Sequence, residues 1–182
     1  VLMFLLGLSV MLYPTVSDAI NRQHQSYAVS NYTQQVDNMT AADYSVWFDA
    51  ADRFNAAIAA DPEALYHPDR FPAYDATLDI TGTGIMGYIT IPKINVELPI
   101  YHGTGDAVLQ SGAGHLEGTS LPVGGESTHA VISAHRGLPR AKLFTHLDQL
   151  EVGDTFTVTV LDRVLTYEVD KITIVLPTEV ED

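Results

Sequence analysis

The sequence predicts a mainly β domain, a barrel or a sandwich, placed behind an N-terminal helical region and an apolar anchor. Three observations carry that prediction. From Gly87 onward the apolar period switches to two, with short alternating runs broken by Gly, Pro and Asp. Upstream, Tyr44, Trp47, Phe48, Ala51, Phe54 and Ile58 fall at helical spacing. The first twelve residues are almost wholly apolar.

Residues 1–12 are shorter than the roughly 20 residues that span a bilayer. A truncated membrane helix, the tail of a signal peptide and a buried helix are the competing readings. No small-x-small cleavage pattern follows, whereas Tyr13-Pro14 places an aromatic where a membrane interface favours one. Residues 1–13 are therefore expected to be part of a transmembrane anchor whose upstream portion lies outside the sequence. Residues 15–38 are polar, with sparse apolar points at Ile20, Tyr27 and Val36, and read as a weak, solvent-facing helix. Thr40 and Asp43 form a capping-box start for the stronger helix that follows. Asp61-Pro62 stops it, which closes the N-terminal helical region at residues 14–60.

Residues 61–84 hold Pro62, Pro68, Pro72, Gly82 and Gly84, and read as a linker or a lid with a short extended piece at 76–80. Residues 88–91 and 96–101 are the first strands, with Pro92 and Pro99 predicting edges or bulges. Residues 107–110 suit one helical turn, 131–134 a central strand, and 141–150 a short helix or helical turn. Residues 155–161 and 164–170 alternate around Asp162-Arg163 as a β-hairpin, and 172–176 continue as a strand.

The 182 residues carry a net charge of −14, which argues against nucleic acid as a partner. Their 46% apolar content suffices for one domain with a real core. Cysteine is absent, so these residues offer neither a disulfide nor a thiol. The run THAVISAHRG at 128–137 delivers His135 from a strand to a turn at Gly137, after a glycine-rich approach at 112–125. A histidine at a strand exit is placed for general acid–base work, and equally for a structural role. His129 and His135 are expected on one strand, on the same face. The other histidines show neither H-x-H nor H-E-x-x-H spacing, so no metal site and no cofactor is expected. Gly82 to Gly87 spell G-x-G-x-x-G, but a strand follows instead of a helix, which rejects a dinucleotide role. Ser120 and Ser133 lie outside any G-x-S-x-G and are discounted as nucleophiles.

The segments IPKINVELPIYHG (91–103), GAGHLEGTSLPVGG (112–125), HAVISAHRG (129–137), AKLF (141–144) and EVGD (151–154) together resemble the sortases, in particular the class C, pilin-polymerising branch. The resemblance implies a sortase β-barrel over 85–182, incomplete at its C-terminal end, on the outer face of a Gram-positive cell membrane. It implies a cysteine transpeptidase that cleaves LPxTG-type sorting signals between Thr and Gly and passes the thioester to a lysine amine of the next pilin or surface protein. His135, in its Ala-His-x-Gly setting, matches the family histidine. The family cysteine and arginine belong to later strands and are not among these residues; Arg136 stands at a different motif position. The branch also carries a lid that begins Asp-Pro-aromatic. Asp61-Pro62 matches its start, residue 63 is glutamate, and Tyr66 or Phe71 are the alternatives for the ring. Without a thiolate these residues alone should be inactive, and without the last strands an open sheet edge should favour aggregation. A sortase-like scaffold without catalysis in pilus assembly is the main alternative. An unrelated all-β carbohydrate- or peptide-binding module is the third.

Overall fold

A computed structural model describes residues 1–139 and 141–175. Helix α1 (Leu2–Asp37) runs unbroken through Pro14, and at 1.5 Å per residue it is about 54 Å long. Residues 1–16 are exposed, apolar side chains included. An 18-residue window has a mean hydropathy of 1.5, so the helix is long and apolar enough to cross a membrane.

The polar half of α1 is not the solvent-facing helix expected from its composition. Val29, Tyr32 and Val36 recur at i, i+3 and i+7 and are buried against the sheet. Polar tips do the rest: Gln25 Nε2 donates to the Ser111 carbonyl at 3.1 Å. The Tyr32 hydroxyl donates to the Met86 carbonyl at 3.1 Å and accepts the Leu161 N–H at 2.8 Å.

Helix α2 (Ala41–Ala60) starts at the capping box. Asp43 N–H donates to Thr40 Oγ1, and Thr40 N–H donates back to the Asp43 carboxylate at 2.8 Å. Phe48, Ala51, Phe54 and Ile58 form its buried face, as their spacing predicts. Asn55 adds a backbone-like clasp, accepting the Leu121 N–H at 2.7 Å and donating to the Leu121 carbonyl at 3.1 Å. Residues 61–84 hold two 3-10 turns, Pro68–Arg70 and Tyr74–Ala76, in place of the extended piece expected at 76–80. Leu78 is buried there at φ 70°. Phe71 and Tyr74 lie edge-on and tilted against Phe54, at 5.8 and 6.0 Å between ring centroids.

Among the described residues six strands form one sheet in the order β4-β3-β2-β1-β5-β6. These are β1 (Ile85–Ile91), β2 (Val96–His102), β3 (Ala113–His115), β4 (Ile132–Ser133), β5 (Thr155–Val160) and β6 (Arg163–Glu168). β1 and β2 form an antiparallel pair with a register shift between Ile85 and Gly87. Pro99 sits in β2, between two neighbours and not at an edge. It is tolerated because the ladder to β3 begins only at Ile100, so no N–H is missed. The short helix α3 (Asp106–Ser111) carries the chain over to β3, parallel to β2, and aligns His102 with His115. The hairpin β5–β6 closes the far side.

Two further elements differ from expectation. Residues 131–134 yield a two-residue strand at the sheet edge, because loop 116–131 satisfies its own backbone. Leu116 N–H donates to the Val131 carbonyl and Ser120 N–H to the His129 carbonyl, both at 2.9 Å. Residues 141–150, read as a short helix or helical turn, hold the 3-10 turn Leu147–Gln149. Residues 171–175 form no strand; Leu176, the end of that expectation, lies outside the described residues. The core sits between the helices and the sheet, on Tyr32, Ala51, Met86, Ile100 and Leu121.

Candidate active site

The chain leaves β4 at Ser133, so His135 stands just past a sheet edge, half-buried. Ile132 faces the concave side of the sheet. A cavity of about 770 Å³ opens on that concave side over Ile89, Ile91, Ile132, Phe144, Val158 and Leu165. His129 is among the residues at its wall, and His135 is not. The two histidines do not share a strand, because residues 128–131 belong to the loop and β4 covers only Ile132–Ser133.

A folded-back loop holds His135 in place of a longer strand. Phe144 N–H donates to the His135 carbonyl at 3.1 Å, and Gly137 N–H donates to Thr145 Oγ1 at 3.1 Å. Gly137 turns at φ 75°, where a side chain would be strained. Leu138 and Ala141 form an isolated antiparallel bridge, and Arg136 pairs with Asp148 at 2.8 Å. From α1, the Asp18 carboxylate accepts the Lys142 N–H at 2.9 Å.

Asp61 and Pro62 do not line the cavity. The Asp61 carboxylate closes its own turn, accepting from Glu63 N–H and from Arg70 Nη1, both at 2.9 Å. These bonds, the Glu63 N–H first, hold its carboxyl below the usual range. Segment 61–84 instead packs against the β2–β3 end of the sheet. Gly118, at φ 80°, lies directly beneath the Ala64–Leu65 backbone, where a Cβ would collide. Within the same segment Asp79 accepts from the N–H groups of Thr83 and Gly84 at 3.0 and 2.9 Å, so the glycines at 82 and 84 form a turn into β1.

Sequence reasoning missed the cluster that fixes this segment. His115 is fully buried and its Nε2 donates to the Ser120 carbonyl at 2.8 Å. The Tyr74 hydroxyl lies 3.0 Å from Nδ1 and donates to the His115 carbonyl at 2.9 Å, and its oxygen in turn accepts the Gly103 N–H at 2.9 Å. Burial pushes the His115 imidazole down to about 4, against the opposing pull of the Ser120 carbonyl. It is a neutral structural histidine. His102 lies edge-on to Tyr74, 5.0 Å between centroids, with its ring nitrogens 3.0 and 2.8 Å from the carbonyl oxygens of Gly84 and Thr77. The signal was the parallel β2–β3 register, which no spacing in the sequence announces. Ser120, also buried, accepts the His129 N–H through Oγ at 3.2 Å, a structural use of that hydroxyl.

Residues 89–182, half of the chain, match the model of the sortase domain. The chain belongs to the sortase family. Its fold is similar to sortase C1 from Streptococcus agalactiae, with a TM-score of 0.76 and 42% identity over 85% of this chain and 81% of that one. It is also similar to Clostridium perfringens sortase C, solved with the C-terminal cell wall sorting motif: TM-score 0.67, 38% identity, 86% and 80% covered. Sortase A of Streptococcus agalactiae is 33% identical over 100 residues, 53% of this chain. The chain spans 40% of the length of that relative. These neighbours place the sortase fold, with class C sortases as its structural likeness, on the six-stranded curled sheet described above.

Proposed function

We propose that this sortase is a membrane-anchored cysteine transpeptidase of the pilin-joining class, to which the 182 residues contribute the anchor, the helical collar and the histidine. The observation that carries the reading is His135, at the exit of β4 in its Ala-His-x-Gly motif, within a fold like that of sortase C1. α1 supplies a helix of spanning length; the reading puts residues 1–13 in the bilayer and the sheet on the extracellular face of a Gram-positive cell. Residues 14–60 dock the module, 61–84 form its lid or linker with Asp61 and Pro62 at the start, and 85–182 belong to its barrel, in part.

The substrate is an LPxTG-type sorting signal, a reading supported by the sorting motif bound in the Clostridium perfringens structure. The thiolate attacks the Thr–Gly carbonyl carbon, and the C–N bond breaks as the thioester forms. His135 donates a proton to the departing glycine amine, then takes one from the lysine ammonium of the acceptor; the freed amine attacks the thioester carbonyl, an amide C–N bond forms as the C–S bond breaks, and the second amine proton leaves with the sulfur as the thiol. The 182 residues hold no cysteine. The alternative reading is a sortase-like scaffold or binding protein of surface pilus assembly that binds sorting signals without turning them over.

A chimera separates the two. The chain is joined to the cysteine- and arginine-bearing strands of Streptococcus agalactiae sortase C1 and assayed on a fluorogenic LPxTG peptide with a lysine acceptor. Cleavage and amine transfer support the transpeptidase. A folded chimera that binds the peptide and leaves it intact supports the scaffold.

A further inference from the structure

β4 ends two residues before His135, so the imidazole is placed by loop 136–146 and by whatever holds that loop. Inside the loop the bonds are local: Phe144 N–H to the His135 carbonyl, and Gly137 N–H to Thr145. Leu143 adopts φ 39°, a conformation that L side chains rarely hold without support. The residue before it supplies an attachment from outside. Lys142 N–H donates to Asp18 Oδ1 at 2.9 Å, across 124 positions of sequence. Asp18 is 5% exposed, an unusual place for a carboxylate, and its second oxygen takes Arg22 Nη2 at 2.8 Å. Both oxygens are therefore committed, one to the helix and one to the loop. Asp18 lies four residues past Pro14, about 6 Å of helix rise from the apolar end of α1.

We propose that Asp18 is a positioning residue for His135. It acts through the Lys142 amide and the Phe144–His135 bond, and ties the histidine loop to the membrane-proximal turn of α1. The orientation of the imidazole is thus set by the anchor helix and not by the sheet alone. This rests on the reading of His135 as the catalytic histidine.

The test is hydrogen exchange and histidine-ring NMR on the 182-residue chain in lipid nanodiscs. Asp18→Ala removes the acceptor; it should speed exchange at the Lys142 and Phe144 amides by about tenfold or more and shift the His135 ring signals. Protection at Ile89 and Val158 should not change. Asp18→Asn keeps an acceptor oxygen and should restore the Lys142 and Phe144 protection and the ring signals. Should Asp18→Ala fail to fold, Asp18→Glu moves the acceptor by one methylene and should shift the His135 signals while the sheet stays protected. Wild-type protection and ring signals in Asp18→Ala (or in Asp18→Glu, should it stand in) would overturn the proposal. So would a loss of protection spread evenly over the sheet, or an Asp18→Asn no better than Asp18→Ala. In the chimera, Asp18→Ala should lower kcat with KM held. If the wild-type chimera is inactive, the catalytic reading has failed, and the exchange result still decides whether Asp18 positions the loop.

Discussion

Acidification should weaken this fold through one buried imidazole. His115 is held neutral, its Nε2–H on the Ser120 carbonyl and its Nδ1 facing the Tyr74 hydroxyl. Burial lowers it from 6.5 to about 4. The folded state therefore binds the proton less tightly than the unfolded chain. Above pH 6.5 neither state carries it and the effect is nil. Between 6.5 and 4 the unfolded chain takes the proton first, so stability falls as the pH falls; below 4 both states carry it and the loss is complete. A shift of this size corresponds to about 3 kcal/mol. For a chain of 182 residues that is roughly 6–12 °C in the thermal midpoint. The assay compares wild type with His115→Gln by urea unfolding at pH 7, 5.5 and 4. Carboxylates such as Asp43 and Asp154, which hydrogen bonds hold below their usual range, titrate alike in both proteins and cancel in the difference. The stability gap between the two should close by about 3 kcal/mol from pH 7 to 4. A gap that stays constant with pH would refute a buried neutral His115.

Three other outcomes follow from particular contacts. Tyr32→Phe strands the Leu161 N–H and the Met86 carbonyl in the core and should cost about 2–3 kcal/mol, read by chemical denaturation; a change under about 0.5 kcal/mol would mean that α1 is not part of the folded unit. Gly118→Ala places a methyl against the Ala64–Leu65 backbone at a left-handed φ, and limited proteolysis should then cut within residues 61–84 faster than in wild type. Unchanged cutting would detach that segment from the sheet. The 182 residues alone should form no thioester with an LPxTG peptide, since they carry no thiol; a covalent acyl adduct detected by mass spectrometry would contradict this.

The two halves of the chain differ in how openly they announce their structure. The capping box at Thr40 and the aromatic stripe of α2 follow directly from period and local chemistry, and so does the β5–β6 hairpin, although its turn falls at Leu161–Asp162, one residue before the expected Asp162-Arg163. α1 beyond Pro14 does not, because it docks through the polar tips of Asp18, Gln25 and Tyr32, which hydropathy counts as solvent-facing. The strand before His135 looked long because residues 130–134 are apolar apart from Ser133. In the structure the loop 116–131 pairs with itself and leaves β4 two residues. The motif makes His135 a candidate, whereas the contacts that hold its loop have no sequence signal. Asp18 lies 124 positions from Lys142, and the Tyr74–His102–His115 cluster needs the β2–β3 register to exist.

The central claim, that His135 is the proton-transfer group of a sortase, is tested most directly by kcat/KM of the chimera with and without His135→Ala, measured on the LPxTG peptide. Loss of a general acid–base predicts a fall of about 10²–10⁴-fold in kcat/KM with peptide binding retained. A His135→Ala chimera within a few-fold of the parent would contradict the claim and return His135 to a structural role.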